Sequence, residues 1–111
     1  MNRAIGFLEV LGYSVALAAM DKACKSADIR VEGIDCNNPA EGDRAHIPVV
    51  IQVKLSGTVS DVKVALEMAR LEASKYMADQ DILTHYIPAA TEEIMKLLPL
   101  GKVKRKSWHS N

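Results

Sequence analysis

The side chains able to do chemistry in this 111-residue chain are few and scattered. Cys24 and Cys36 form no CxxC pair, and His46, His85 and His109 share no ligand spacing such as H-x₃-H with each other or with a cysteine. A zinc site needs three or four such ligands brought together, so the bland reading of the histidines wins over a metal centre. Two isolated thiols are more simply reduced cysteines of a cytosolic protein than a disulfide. Asp35, Glu41 and Asp43 are close in sequence and could hold acid–base chemistry, but no nucleophile–base group converges with them. The tail cluster Lys102, Lys104, Arg105 and Lys106 could touch nucleic acid or an acidic protein, though such a cluster is more often only a solvated end, with Trp108 beside it as a weak docking signal.

The whole chain narrows the function further. Fourteen basic residues balance fourteen acidic ones, so no net field draws the folded body toward nucleic acid or an anionic membrane. No apolar run approaches the roughly 20 residues needed to span a bilayer, and Glu9 and Gly12 break up the N-terminal run before it can read as a secretory signal. The expectation is a soluble, cytoplasmic protein of one domain. Apolar residues make up 49% of the chain but aromatic ones only 5%, so the core must be built from Ala, Val, Leu, Ile and Met.

The elements that must position any site follow from periodicity. Residues 3–10 read as a strand, with a turn at Gly12 and Ser14 as the cap of an alanine-rich helix to Ala27. Val15, Ala16, Ala19, Met20, Ala23 and Ala27 recur on its apolar side. From Ile29 to near Asp35 the spacing predicts a second strand, and Ile47–Leu55 alternates cleanly enough for a third. Between them Cys36–His46 supplies turn chemistry and almost no core, over a length unusual for a hairpin. Thr58 or Ser60 can cap a second helix, with Asp61 in its first turn and Val62, Ala65, Leu66, Ala69, Ala73 and Tyr76 as its buried stripe. Ile82–Ile87 reads as a fourth strand stopped by Pro88, and Thr91–Leu98 as a short third helix before a basic tail. The expected fold is therefore α+β, a ferredoxin-like βαββαβ unit with a short C-terminal helix and a long loop between the second and third strands. The domain occupies 1–101, and 102–111 form the tail.

With these elements placed, the chain resembles the BMC domain, the hexamer-forming shell proteins of bacterial microcompartments. The matching residues are Ala4-Ile5-Gly6 with Glu9 and Gly12, Lys25-Ser26-Ala27-Asp28, Val31 with Gly33, and Gly57-Thr58-Val59 with Val62 and Ala65. His85-Tyr86-Ile87-Pro88 followed by Glu93 and Leu97-Leu98-Pro99 completes the series. The resemblance implies a homo-hexamer without catalysis that tiles with other shell proteins into a cytoplasmic compartment wall. Its sixfold axis would carry small metabolites, and neither membrane nor nucleic acid is an expected partner. It places a pore loop at Cys36, Asn37, Asn38, Pro39, Ala40, Glu41, Gly42, Asp43 and Arg44, and hexamer-edge contacts at Lys25, Asp28, His85, Pro88 and Ala89.

Two departures from the family pattern stand out. The stretch Ile87-Pro88-Ala89-Ala90 lacks the arginine that the family often inserts across the hexamer edge, leaving ordinary flat tiling in question. The pore loop is longer than the family's glycine-rich turn, and six copies of Glu41, Asp43 and Arg44 near one axis predict a mobile or multiply arranged segment. Both suggest an accessory shell protein of an amine- or glycyl-radical-type degradation compartment. No cofactor is expected; the sharper alternative is an iron–sulfur cluster held by Cys36 thiolates, although sixfold symmetry suits four ligands poorly. The strongest rival class is a trimeric regulator of the PII type, which shares the element order but would need a phosphate-cradling run that is not evident here. An RNA-recognition domain would need aromatic platforms on Ile47–Leu55, where there are none.

Overall fold

The structure, a computed structural model, describes residues 3–37, 50–90 and Lys96. Its elements run β1 (Arg3–Leu11), α1 (Tyr13–Ser26), β2 (Arg30–Asn37), β3 (Val50–Gly57), α2 (Val59–Ala73) and β4 (Leu83–Ala90), with a 3₁₀ turn at Asp79–Asp81. The strands form one sheet in the order β2-β3-β1-β4, and every neighbouring pair is antiparallel. This is the expected split βαββαβ arrangement, in which each helix carries the chain past an intervening strand.

Alternation in β1 and β3 decides which face is dry. Ala4, Leu8 and Val10 of β1 lie opposite or beside Ile51, Val53 and Leu55 of β3, and all six are sealed from solvent. Alanines at Ala16, Ala19 and Ala23 of α1 and at Ala65, Ala69 and Ala73 of α2 join them in one core, so short side chains let both helices settle close to the strands. Val15, Met20 and Ala27 pack against that core without being fully covered.

Four boundaries differ from the sequence reading, each for a physical reason. Ser14 does not cap α1: Gly12 holds that position with φ of 95°, a backbone region that disfavours any side chain, and no side chain caps the helix. Tyr76 is not part of the α2 stripe, because the helix ends at Ala73 and the ring sits 59% exposed in the following turn, its hydroxyl donating to Glu72 Oε2 at 3.3 Å. Strand β4 does not stop at Pro88. A register irregularity between Arg3 and Ile5 absorbs Pro88 and Ala89, and pairing resumes at Arg3–Ala90; a proline is tolerated there because β4 is an edge strand. Finally, β2 continues past Asp35 through Cys36 and Asn37, which pair with Ile51 and Val50. Of the third helix only Lys96 lies among the described residues, and it is helical and exposed.

The α2 start is as expected. Thr58 Oγ1 accepts from the Asp61 amide at 3.1 Å, satisfying one of the helix's free N–H groups. Thr58→Ala should lower stability by about 1 kcal/mol in urea denaturation; an unchanged midpoint would show that the cap contributes nothing. Farther along, Arg70 donates to Asp79 Oδ1 at 2.8 Å and to the carbonyl of Ile82 at 2.7 Å, fastening the turn that leads into β4.

Candidate functional site

Strand direction sorts the candidate residues into two groups at opposite ends of the sheet. Cys36 and Asn37 close β2 against Val50 and Ile51 at the start of β3, so the connection 38–49 leaves and re-enters at that end. Lys25 and Asp28 precede β2 at the other end, where β4 also finishes. The length of β2 separates the two groups by roughly 23 Å.

At the first end, Cys36 is an exposed thiol on a paired strand residue, and so is not part of a loop. Asn38, Pro39, Ala40, Glu41, Gly42, Asp43 and Arg44 lie outside the described residues, as do His46, His109 and the basic tail. Cys24 is also a free, exposed thiol, on α1. Among the described residues no three His, Cys, Asp or Glu side chains are grouped as metal ligands.

At the other end, Lys25 occupies the last turn of α1, where a cation is favoured by the helix dipole. Its ammonium lies 2.9 Å from Asp21 Oδ2, and this hydrogen bond, with the attraction of the carboxylate, raises its pKa above the usual lysine value. Lys25 therefore stays charged at neutral pH. Asp28 follows in the turn into β2, its carbonyl close against Gly57. Pro88 and Ala89 share this end of the sheet but stand on the opposite edge, in the β4 irregularity. His85 is not with them: it sits in mid-β4, stacked on Phe7 with ring centroids 4.7 Å apart.

What the sequence reading missed is the face of the sheet opposite the helices. Ile5 on β1 is 0% exposed there, and β3 turns Gln52, Lys54 and Ser56 to the same side, all three buried. Gln52 Nε2 donates to Glu9 Oε2 at 2.8 Å. The Lys54 ammonium contacts Asp35 Oδ2 at 2.5 Å, with 7% and 10% of the two side chains exposed. Ser56 Oγ donates to Glu32 Oε2 and accepts from Arg3 at 2.9 Å, and Arg30 stands 3.8 Å from the same Glu32 carboxylate. Each β3 polar group thus has a partner on a neighbouring strand, as a buried polar group requires. In the sequence these residues show only as the polar positions of alternating strands. Their pairing becomes visible once the register is known.

That register contains a bulge. Val31 pairs with Leu55 but Gly33 with Lys54, so Glu32 is the extra residue. Ile34 and Cys36 share sequence parity with Arg30 and Glu32, yet after the bulge they stand opposite Val53 and Ile51 of the core face. Asp35 is thereby directed to the polar face.

A groove of about 720 Å³ lies between α2 and β4. Ser60, Lys63, Glu67, Arg70 and Tyr86 line it, and Arg70 is already committed to Asp79 and Ile82. Thr84 and His85 of β4 also line it, and the His85 ring is stacked on Phe7.

Both the sequence and the fold have counterparts among known proteins. The family model for the BMC domain matches residues 4–91. The carboxysome shell protein CcmK3 of Synechocystis is 27% identical over 101 residues, covering 90% of this chain and 89% of that protein. A crystal structure of a microcompartment protein from Desulfitobacterium hafniense superposes with a TM-score of 0.67 at 16% identity, covering 88% of this chain. The chain spans about half the length of that protein, 47%, and the likeness concerns the fold.

Proposed function

The chain belongs to the BMC domain family, the shell proteins of microcompartments, and on that premise we propose that it assembles as a hexamer whose sixfold axis is lined by the connection 38–49. The role is structural, with no catalysis. The observation that carries this reading is the separation of the two groups along β2. A ring subunit needs one end at the axis and the other at the perimeter. The stem at Cys36–Asn37 suits the first, and Lys25 with Asp28, Pro88 and Ala89 suits the second. Small metabolites would cross at the axis, and neighbouring shell proteins would meet the perimeter.

The perimeter has a cation in Lys25, but Ala89 replaces the planar donor fork that an arginine would supply. We therefore assign the protein an accessory place in a mixed shell, in an amine- or glycyl-radical-type compartment, with the edge contact resting on Lys25. Lys25→Ala should leave the hexamer intact while abolishing extended sheets in electron micrographs; sheets of normal extent would remove Lys25 from the edge. A cluster held by Cys36 remains the alternative cofactor reading, and visible absorbance after anaerobic purification that disappears in Cys36→Ser would establish it. Solution mass separates the main reading from its rival, since a PII-like regulator would run as a trimer.

A further inference from the structure

We propose that the buried Lys54–Asp35 pair, with Gln52–Glu9 beside it, sets the register of β2 on β3 and so fixes how much chain enters the connection 38–49. The argument starts from what the apolar pattern leaves open. A one-residue slip of β2 would turn Ile34 and Cys36 to the polar face and Asp35 into the core, so alternation alone forbids it. A two-residue slip preserves every face. The bulge at Glu32 shows that this ladder accommodates an extra residue, so backbone pairing does not forbid an even slip either.

What separates the even registers is the polar face. In the observed one, Gly33 stands opposite Lys54 and presents no side chain, and Lys54 reaches diagonally to Asp35, which itself stands opposite Gln52. Glu9 anchors Gln52 from the other side through β1, tying the stem to the centre of the sheet. Moving the stretch 33–37 by two residues, with the bulge taking up the change, would carry Asp35 away from a lysine that is 7% exposed. Pulling apart two nearly buried opposite charges is unfavourable, and the best-attested use of such pairs is to select one register. Each two-residue slip would feed about 7 Å of strand into or out of the connection. On the pore reading above, on which this last link rests, that change would be repeated around the axis.

The test replaces the pair by apolar residues of similar size, Lys54→Met with Asp35→Leu, in the full-length protein. Backbone amide exchange is followed at Cys36, Asn37 and Val50 by the stem and at Val31 and Leu55 beyond the bulge, together with labelling of Cys36 by a maleimide in a Cys24→Ser background. The expected result is a folded protein in which the stem amides exchange at least tenfold faster, Cys36 labels several-fold faster, and the amides beyond the bulge are unchanged. The charge-reversed pair, Lys54→Asp with Asp35→Lys, should restore the stem rates. Wild-type exchange at the stem, a uniform acceleration over the whole sheet, or failure of the apolar pair to fold would each overturn the proposal. Each readout compares variant with wild type in the same oligomeric state, so a wild-type protein that is not hexameric would sink the pore reading and leave the register result standing.

Discussion

Lys54→Met alone should destabilise the fold by about 3–5 kcal/mol, a large part of the roughly 5–15 kcal/mol that holds a domain of this size together. The lysine and Asp35 are both nearly removed from solvent, and their contact runs across the middle of the β2–β3 pair. Truncating the cation removes an ammonium that offsets the desolvation of a carboxylate only 10% exposed. The same reasoning gives the sign of the double variant: with Asp35→Leu added, no charge is stranded and stability should return to within about 1–2 kcal/mol of wild type. Urea denaturation of the four proteins of this cycle supplies the measurement. A single variant that loses less than about 1 kcal/mol would show that water reaches the pair.

Gly6→Ala should be the next most damaging change, at about 1–3 kcal/mol. The position lies on the helix side of β1, facing α2. A β-carbon built there would stand 2.8 Å from Val62 Cγ1 and 3.0 Å from Leu66 Cδ1. Both side chains are themselves buried, at 0% and 5% exposure, so neither can swing aside. The midpoint of thermal unfolding should fall by several degrees for each kcal/mol. Pairing Gly6→Ala with Val62→Ala should recover part of the loss, because the nearest clashing methyl is removed. Absence of any fall in the single variant would mean that α2 can move outward freely.

These two residues also show what can and cannot be read from the sequence. Gly6 belongs to a recognisable segment, Ala4-Ile5-Gly6 with Glu9 and Gly12, and the strand, helix and strand around it follow from apolar spacing. The alternation of Ile51, Val53 and Leu55 marks β3, and Thr58 marks the entry to α2, because each depends on residues a few positions apart. Lys54 is different. Its meaning depends on Asp35, nineteen positions away in sequence, and on a bulge at Glu32 that changes which β2 residues face it. No local pattern encodes a bulge, so Asp35 read only as an acid close in sequence to Glu41 and Asp43. Cys36 and Asn37 read as loop for a related reason: Asn is depleted in strands and Cys36 adjoins the turn-forming run Asn37-Asn38-Pro39, and ladder pairing with Val50 and Ile51 overrides this. Pro88 read as a stop because its missing N–H is harmful inside a sheet, whereas at an edge it is harmless.

The residues proposed for the perimeter were legible as a set only through family likeness. The structure spaces them at one end of the sheet, Lys25 and Asp28 on the α1–β2 side and Pro88 and Ala89 on the β4 side. A ring built from such subunits uses different surfaces on its two flanks, as closed cyclic assemblies do.

Native mass spectrometry of the purified full-length protein tests the central claim most directly. A hexameric shell subunit predicts one dominant species at six times the 12.1 kDa chain mass. A dominant trimer or monomer across the working concentration range would contradict it.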